Sequence, residues 1–489
     1  MIGRAASSRP GSRGVGRAPV PGVRARGVWD DGRVTDLVPR AVYLLAASRV
    51  DPRLDAGFAV AVMRRARDLR RAGGEAIVLT FNVAGTEEND RIRAEWERRG
   101  LGGAFRNLYD DLRADRSWLR EIASPLPAPE TGFERNVVTD DAGAPVVALP
   151  IVTGDPAWML SDAPVIVFDG AGEAVGWVPG FGALYRTWLA RVAREAAAAS
   201  GREPVVVCEA RQIGEVLVAD APLPLPADLP IVHETHANHT LAPHTWDAPM
   251  ADAWTRWLAT ADRYDAVTWL TATQRADVER RFGAGVARSF VAPHPAPPVT
   301  RVDAPRVPGR IAMLNSLSTR KRVDHALRAL ARLRDDVPHA HLDVHGDGPE
   351  RAGLEALSAE LGVADAVTWH GYDPDPLPAL AAAEALVLTS TNEAQGLVVV
   401  EALSYGVPVV AYDIPYGPRD MLAGGGGALL PDGDIAGLAA ALRSVLTADD
   451  PAVLREQAYA AAEAQGFEPA LRAFGDAVRA ALSARRVLP

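Results

Sequence analysis

The chain has 489 residues, 48% apolar and 23% charged, with a net charge of −10. It is too long for one ordinary core, so two domains of roughly 200 residues each are expected. The acidic balance excludes a general attraction for nucleic acid or for an anionic membrane surface, and no stretch reaches the roughly 18–20 apolar residues of a membrane-spanning helix. The lone Cys208, set in the apolar run PVVVCEA, excludes an internal disulfide and reads as a buried, inert thiol in a reducing, cytoplasmic setting.

Residues 1–40 hold 8 Arg against 3 Asp among repeated Gly, Pro and Ser, with no apolar segment. They are expected to form a disordered basic tail, not a secretory leader. From residue 41 onward, short β-branched runs alternate with segments of helical period, the rhythm of parallel α/β architecture. The first series of strand candidates is 41–47, 75–81, 204–210, 230–236, 266–272 and 289–295. The second is 309–315, 341–346, 366–372, 385–391 and 408–413. Two series make two doubly wound sheets.

Two stretches break the rhythm. Residues 126–177 carry β-prone runs separated by Asp-Gly turns and no helix, which reads as an antiparallel insertion at about 128–178. Residues 292–309 hold six prolines in eighteen positions, which resists both helix and sheet interior. The resulting plan is an N-terminal Rossmann-like acceptor domain over 41–296, a linker over 297–308, and a C-terminal donor domain over 309–465. Residues 466–489 are expected to be a helix packing back toward the N-terminal domain. Ligands of such sheets bind at the carboxyl ends of the strands, here the cleft between the domains.

The stretch 389-TSTNEAQGLVVVEALSYGVPVVAYD-413 carries the densest chemistry. A strand ends near Thr391, and a helix is expected from about Gly396 to Tyr405. Gly396 leaves backbone N–H groups uncovered for an incoming diphosphate. Glu393 and Glu401 flank that point and are placed to accept from hydroxyls on either side, the layout of a sugar nucleotide. The segment 233-HETHANHT-240 holds three of the ten histidines within seven residues. His233, His236 and His239 read as a metal cluster, a buried structural cluster or a polar cleft lining. A strand end curling into a loop need not converge three rings, so the cleft lining is preferred and no metal is expected. Lys321 is the one lysine among 52 basic residues.

Together with HGDGPE (345–350) and HGY (370–372), the Glu393-x7-Glu401 segment resembles the C-terminal domain of retaining GT-B glycosyltransferases of family 4. The resemblance implies the GT-B fold, two Rossmann-like domains facing a cleft. It also implies that Glu393 contacts the transferred sugar, Glu401 binds ribose, and Gly396 and Leu397 lie near the diphosphate. Lys321 falls where the family has its diphosphate lysine, and base recognition falls near Gly371 and Tyr372. The family's Gly-Gly loop falls on Ala56 and Gly57. Ser316 stands where the family has an arginine, leaving Arg320 or Arg322 to supply a second phosphate contact.

The sequence around His236 is similar to a subgroup that glucosylates teichoic acids or serine-rich proteins, whose insertion mediates oligomerisation. The resemblance places His236 closest to the reacting sugar. It implies transfer of a hexose, glucose or N-acetylglucosamine, from a UDP-linked donor to a hydroxyl of a polyol phosphate or surface glycan. No cofactor beyond the donor, and no nucleic acid, is implied; peripheral membrane contact stays compatible. The alternatives are a GT-B epimerase or hydrolase, or a non-catalytic partner subunit.

Overall fold

A computed structural model of the chain describes residues 23–25, 36–54, 56–220, 222–373 and 375–485. Seven parallel strands form the N-terminal sheet, in the order Ser289–Val291, Ala266–Trp269, Ile231–Glu234, Pro204–Cys208, Val42–Ala47, Glu75–Thr80 and Phe105–Asn107. The central strand Val42–Ala47 is buried on both faces because helices cover both. On one face, the helix Ala56–Arg71 turns Ala59, Val62, Met63, Ala66 and Leu69 inward at helical spacing.

The C-terminal sheet is also parallel, in the order Val367–Gly371, His341–His345, Arg310–Leu314, Ala385–Leu388, Val409–Tyr412 and Gly427–Leu430. Its helix Val323–Leu333 buries Val323, Ala326, Leu327, Leu330 and Leu333 against the strands. Two parallel α/β domains meeting across a cleft make the GT-B architecture expected from the sequence.

Two short edge strands, Phe105–Asn107 and Gly427–Leu430, were not among the sequence candidates. Each has three or four residues, too few for periodicity to show, and their pairing comes from the neighbouring strand.

The insertion is a separate four-stranded antiparallel sheet, Arg135–Thr139, Pro145–Pro150, Val165–Phe168 and Ala174–Val178 in sequential order. Its inward residues Val146, Val147, Leu149, Val165, Val167 and Val178 merge into the core that holds Trp188 and Leu108. It is therefore one wall of the N-terminal domain.

The tail expectation needs correction where residues are described. Val23–Ala25 pair antiparallel with Thr300–Val302, and Leu37 and Val38 are buried in the N-terminal core. Backbone pairing and apolar burial order both pieces; the rest of residues 1–35 lies outside the described residues. The last helix, Phe467–Arg485, leaves the C-terminal domain and sets Phe474, Val478 and Ala481 among the N-terminal core residues. Gly475 is required there, since an added Cβ would stand 2.0 Å from the carbonyl oxygen of Leu37.

Candidate active site

On the C-terminal side, Glu393 is pinned by its own backbone. Its N–H donates to the Pro415 carbonyl at 2.9 Å, and its carbonyl accepts from Tyr416 N–H at 2.6 Å. Oε1 of the side chain accepts from Lys321 Nζ and from Ser390 Oγ, the latter at 2.6 Å, with Arg320 Nη1 3.6 Å away. Burial opposes ionisation of this carboxyl, but Lys321, Arg320 and the bonds from Lys321 and Ser390 outweigh it and hold the group below the usual carboxylate range.

Gly396 caps the helix Leu397–Ser404 at φ 76°, a left-handed conformation that glycine adopts without strain. The helix N–H groups that have no partner within the helix start at Leu397. Glu401, further along, accepts from Arg64 of the N-terminal domain at 2.6 Å. Gly371 ends its strand at φ 72° and its carbonyl accepts from Gly346 N–H at 2.8 Å. Tyr372 beside it is exposed, and its hydroxyl accepts from Arg99 at 2.8 Å. Gly57 lies in the first turn of Ala56–Arg71, with nothing within 4 Å of where a Cβ would stand.

Arg320 and Arg322 separate clearly. Arg322, itself at φ 45°, donates to the Thr389 and Ser390 carbonyls at 2.7 Å each and lies over the Tyr412 ring. That guanidinium is spent on holding the loop before Glu393. Arg320 has a side chain 47% exposed and donates to the Asn392 carbonyl at 2.9 Å, so it stands at the cleft beside Lys321. Near Ser316, the buried side-chain amide of Asn315 has no hydrogen-bond partner.

Across the cleft, the three histidines of 233–239 diverge. His233 is buried between Trp257 and Tyr264, with ring centroids at 4.8 and 4.9 Å. His239 stacks on Tyr416 at 5.9 Å and 7°, and burial, with Arg281 nearby, pushes it down to about 4. His236 faces the cleft: Nε2 donates to Glu209 Oε2 at 2.6 Å, and the ring stacks on His294 at 5.2 Å. Phe58 meets it edge-on at 5.1 Å.

His294 closes the circuit to the other domain. Its backbone N–H donates to Gln395 Oε1 at 2.8 Å, and Gln395 Nε2 donates to its carbonyl at 2.7 Å. Gln395 stands between Glu393 and Gly396, so His236 is tied to the start of the helix Leu397–Ser404 through two residues.

Behind His236, Arg65 donates to Glu234 and lies 3.1 Å from His294 Nδ1, with its Nε 3.8 Å from Glu209. Burial pushes the Glu234 carboxyl up to about 7 against the pull of Arg65, with Glu209 adding to the rise. Burial, with Arg65 and His236 beside it, drives His294 well below the ordinary imidazole value. Among the described residues, Glu234, His236 and His294 are the trio with ligand atoms close enough to share an ion, within 4.8 Å of one another. The guanidinium of Arg65 already donates into that trio, so a metal would have to displace a paired cation.

Glu209, Glu234, Arg65, His294 and Gln395 were not singled out from the sequence. Glu209 and Glu234 carried a signal, a charged residue abutting the carboxyl end of a buried parallel strand. His294 was hidden in the proline-rich stretch.

Residues 304–465, within the C-terminal domain, match the family described as Glycosyl transferases group 1. An exopolysaccharide phosphotransferase of Streptomyces coelicolor is 34% identical over 200 residues, 40% of this chain and 21% of that protein. A poly(glycerol-phosphate) alpha-glucosyltransferase of Bacillus subtilis is 29% identical over 165 residues, 33% of this chain and 24% of that protein. The chain thus spans less than a quarter of either relative. The pneumococcal O-GlcNAc transferase GtfA, solved with UDP and GlcNAc, superposes with a TM-score of 0.67 over 91% of this chain and 99% of that one. At 15% identity this last likeness speaks for the fold alone.

Proposed function

We propose that the protein is a cytoplasmic, retaining hexosyltransferase of family 4. It moves glucose or N-acetylglucosamine from a UDP-linked donor to an acceptor hydroxyl, without a metal ion. The observation that carries this reading is the meeting of Lys321 and Glu393 beside the free helix start at Gly396 and Leu397, with His236 tied to the same point from the other domain.

In the reaction, the anomeric C–O bond to the diphosphate breaks and its electron pair stays on the phosphate oxygen. Lys321, Arg320 and the N–H groups of the helix start are set where that negative charge grows. Each such preorganised contact contributes on the order of 2–4 kcal/mol to the transition state. Glu393, held ionised, accepts from sugar hydroxyls, and Glu401 accepts from ribose once Arg64 gives way. The base lies against Gly371 and Tyr372, and Gly57 leaves room for close approach of donor and acceptor. The leaving phosphate takes the acceptor proton on the same face, which retains the anomeric configuration.

Lys321 and Arg320 supply cationic charge that a divalent ion would otherwise bring to the diphosphate, so activity is expected to survive EDTA. The subgroup resemblance also supports an oligomer built through the insertion, and the edge strand Arg135–Thr139 carries an exposed Val137 suited to it. The direct test is a thermal-shift screen of UDP-, GDP- and ADP-sugars, since a ligand of the native state alone raises Tm. Stabilisation by one sugar nucleotide supports the reading; none by any of them contradicts it. Rapid release of UDP without acceptor points instead to a hydrolase.

A further inference from the structure

The carboxyl ends of four adjacent N-terminal strands open into one cavity of about 820 Å³, reached by Ser48, Phe81, Glu209 and Thr235 just past those ends. The insertion closes it from the opposite side, with Leu149 to Val152, Trp158 and Met159. The insertion therefore makes a pocket out of what would be an open sheet end.

The lining is segregated. Phe81, Tyr109, Phe181 and Tyr185 form an apolar floor, each at most 3% exposed, and Trp158 stands edge-on to Phe181 at 4.9 Å. Glu209, Glu234 and His236 lie together at the cleft end, and His233 is buried behind them between Trp257 and Tyr264. Of the two lining arginines, Arg211 is taken by Glu215 and by the Ala253 carbonyl at 2.9 Å, and Arg49 has a partner of its own. Arg65, behind the acidic end, is held by Glu234 and His294.

Resting on the hexosyl-transfer reading above, we propose that the acceptor is a neutral small molecule with a flat apolar or aromatic ring body. One hydroxyl is presented at the His236 end, and the acceptor is not a polyanionic chain. A phosphate entering this cavity meets two buried carboxylates and no cation without a partner, and burying a charge unpaired is strongly unfavourable. A ring meets the edges and faces of aromatic side chains, which is where such bodies gain most. The size also suits a compact molecule, within the range of ordinary small-ligand pockets. In the transfer, the acceptor oxygen forms its bond to the anomeric carbon as the bond to the diphosphate breaks. The hydroxyl proton leaves on the released nucleoside diphosphate.

The test uses the full chain in three measurements. Thermal shift with sugar nucleotides alone reads donor binding, and no shift with any of them sinks the transfer reading itself. With the best donor, product formation is compared between 4-nitrophenyl β-D-glucopyranoside and a glycerol-phosphate oligomer. The aryl glycoside is expected to show kcat/KM about tenfold higher or more. Trp158→Ala is expected to raise its KM about fivefold while leaving the donor-induced Tm shift and donor KM unchanged, and Trp158→Phe to restore most of it. Equal or better use of the oligomer, no turnover of the aryl acceptor by protein that binds donor, or an unchanged aryl KM in Trp158→Ala overturns the acceptor class.

Discussion

Lys321 donates from its ammonium to the same oxygen of Glu393 that accepts from Ser390 at 2.6 Å. The one lysine of the chain is thus paired with Glu393, in a side chain only 12% exposed. An ammonium is a compact charge on a flexible stem, whereas a guanidinium is a broad planar fork. Lys321→Arg is expected to raise donor KM or lower kcat about tenfold or more, read by steady-state kinetics. Normal kinetics in the Arg variant would mean that any cation serves there.

Arg64 and Glu401 bridge the two domains at 2.6 Å, with side chains 20% and 13% exposed. A partly exposed pair of this kind contributes about 0–1 kcal/mol. Arg64→Ala is expected to leave Tm nearly unchanged and to tighten donor binding, because in the proposed reading Glu401 no longer has to exchange a cation for ribose. Calorimetric titration with the sugar nucleotide decides it: weaker binding in the variant makes Arg64 a donor ligand.

Glu209 fixes the orientation of His236 through the bond to Nε2, and in the proposed reading His236 is the ring nearest the reacting sugar. Glu209→Gln is expected to lower kcat about tenfold or more, with donor KM within about twofold of wild type. A change in donor KM alone, with kcat preserved, would place Glu209 in donor binding instead of in positioning His236.

His239 sits buried against Tyr416 with its imidazole pushed down from 6.5 to about 4. As pH falls through 6.5, the unfolded chain takes up a proton that the folded chain refuses until about 4, so stability is lost across that window. The share of His239 grows to about 3 kcal/mol at the low end. Urea unfolding at several pH values is expected to show a flatter acid limb in His239→Phe than in wild type, and parallel limbs would remove His239 as a cause.

The insertion is built into the domain, since its strands supply Val146, Val147, Leu149 and Val165 to the N-terminal core. Deleting it would open that core. The proposed oligomer is better probed by Val137→Lys on the exposed edge strand, since a lysine there opposes edge pairing. Light scattering is expected to show a smaller species with an unchanged Tm; the same mass in both proteins would exclude this edge.

Much of the C-terminal half was legible because its signals are local. Strand, loop, Gly396 and helix follow one another within twenty residues, so Glu393, Gly396, Leu397 and Glu401 could be placed from the motif alone. Lys321 was visible by its singularity. The N-terminal half was less so, because its site is assembled over long separations. Glu209, Glu234, Arg65 and His294 come from four segments: parallel strand pairing sets the two acids side by side, while Arg65 arrives from the helix Ala56–Arg71 and His294 from the loop after Ser289–Val291. Periodicity says which residues face a core, and it is silent on which buried acid pairs with which arginine. Arg322 shows the same limit: it stands beside Lys321 in sequence, yet its left-handed backbone turns it onto the Thr389 and Ser390 carbonyls.

The most direct measurement is turnover of the preferred sugar nucleotide and acceptor by Glu393→Ala, with its folding checked by Tm. Glu393 is held ionised by Lys321 and Arg320, and the proposed reading sets it against the transferred sugar, so kcat is expected to fall by about a hundredfold or more with little change in Tm. Wild-type turnover in that variant would remove Glu393 from the site and contradict the assignment of transferase chemistry to this cleft.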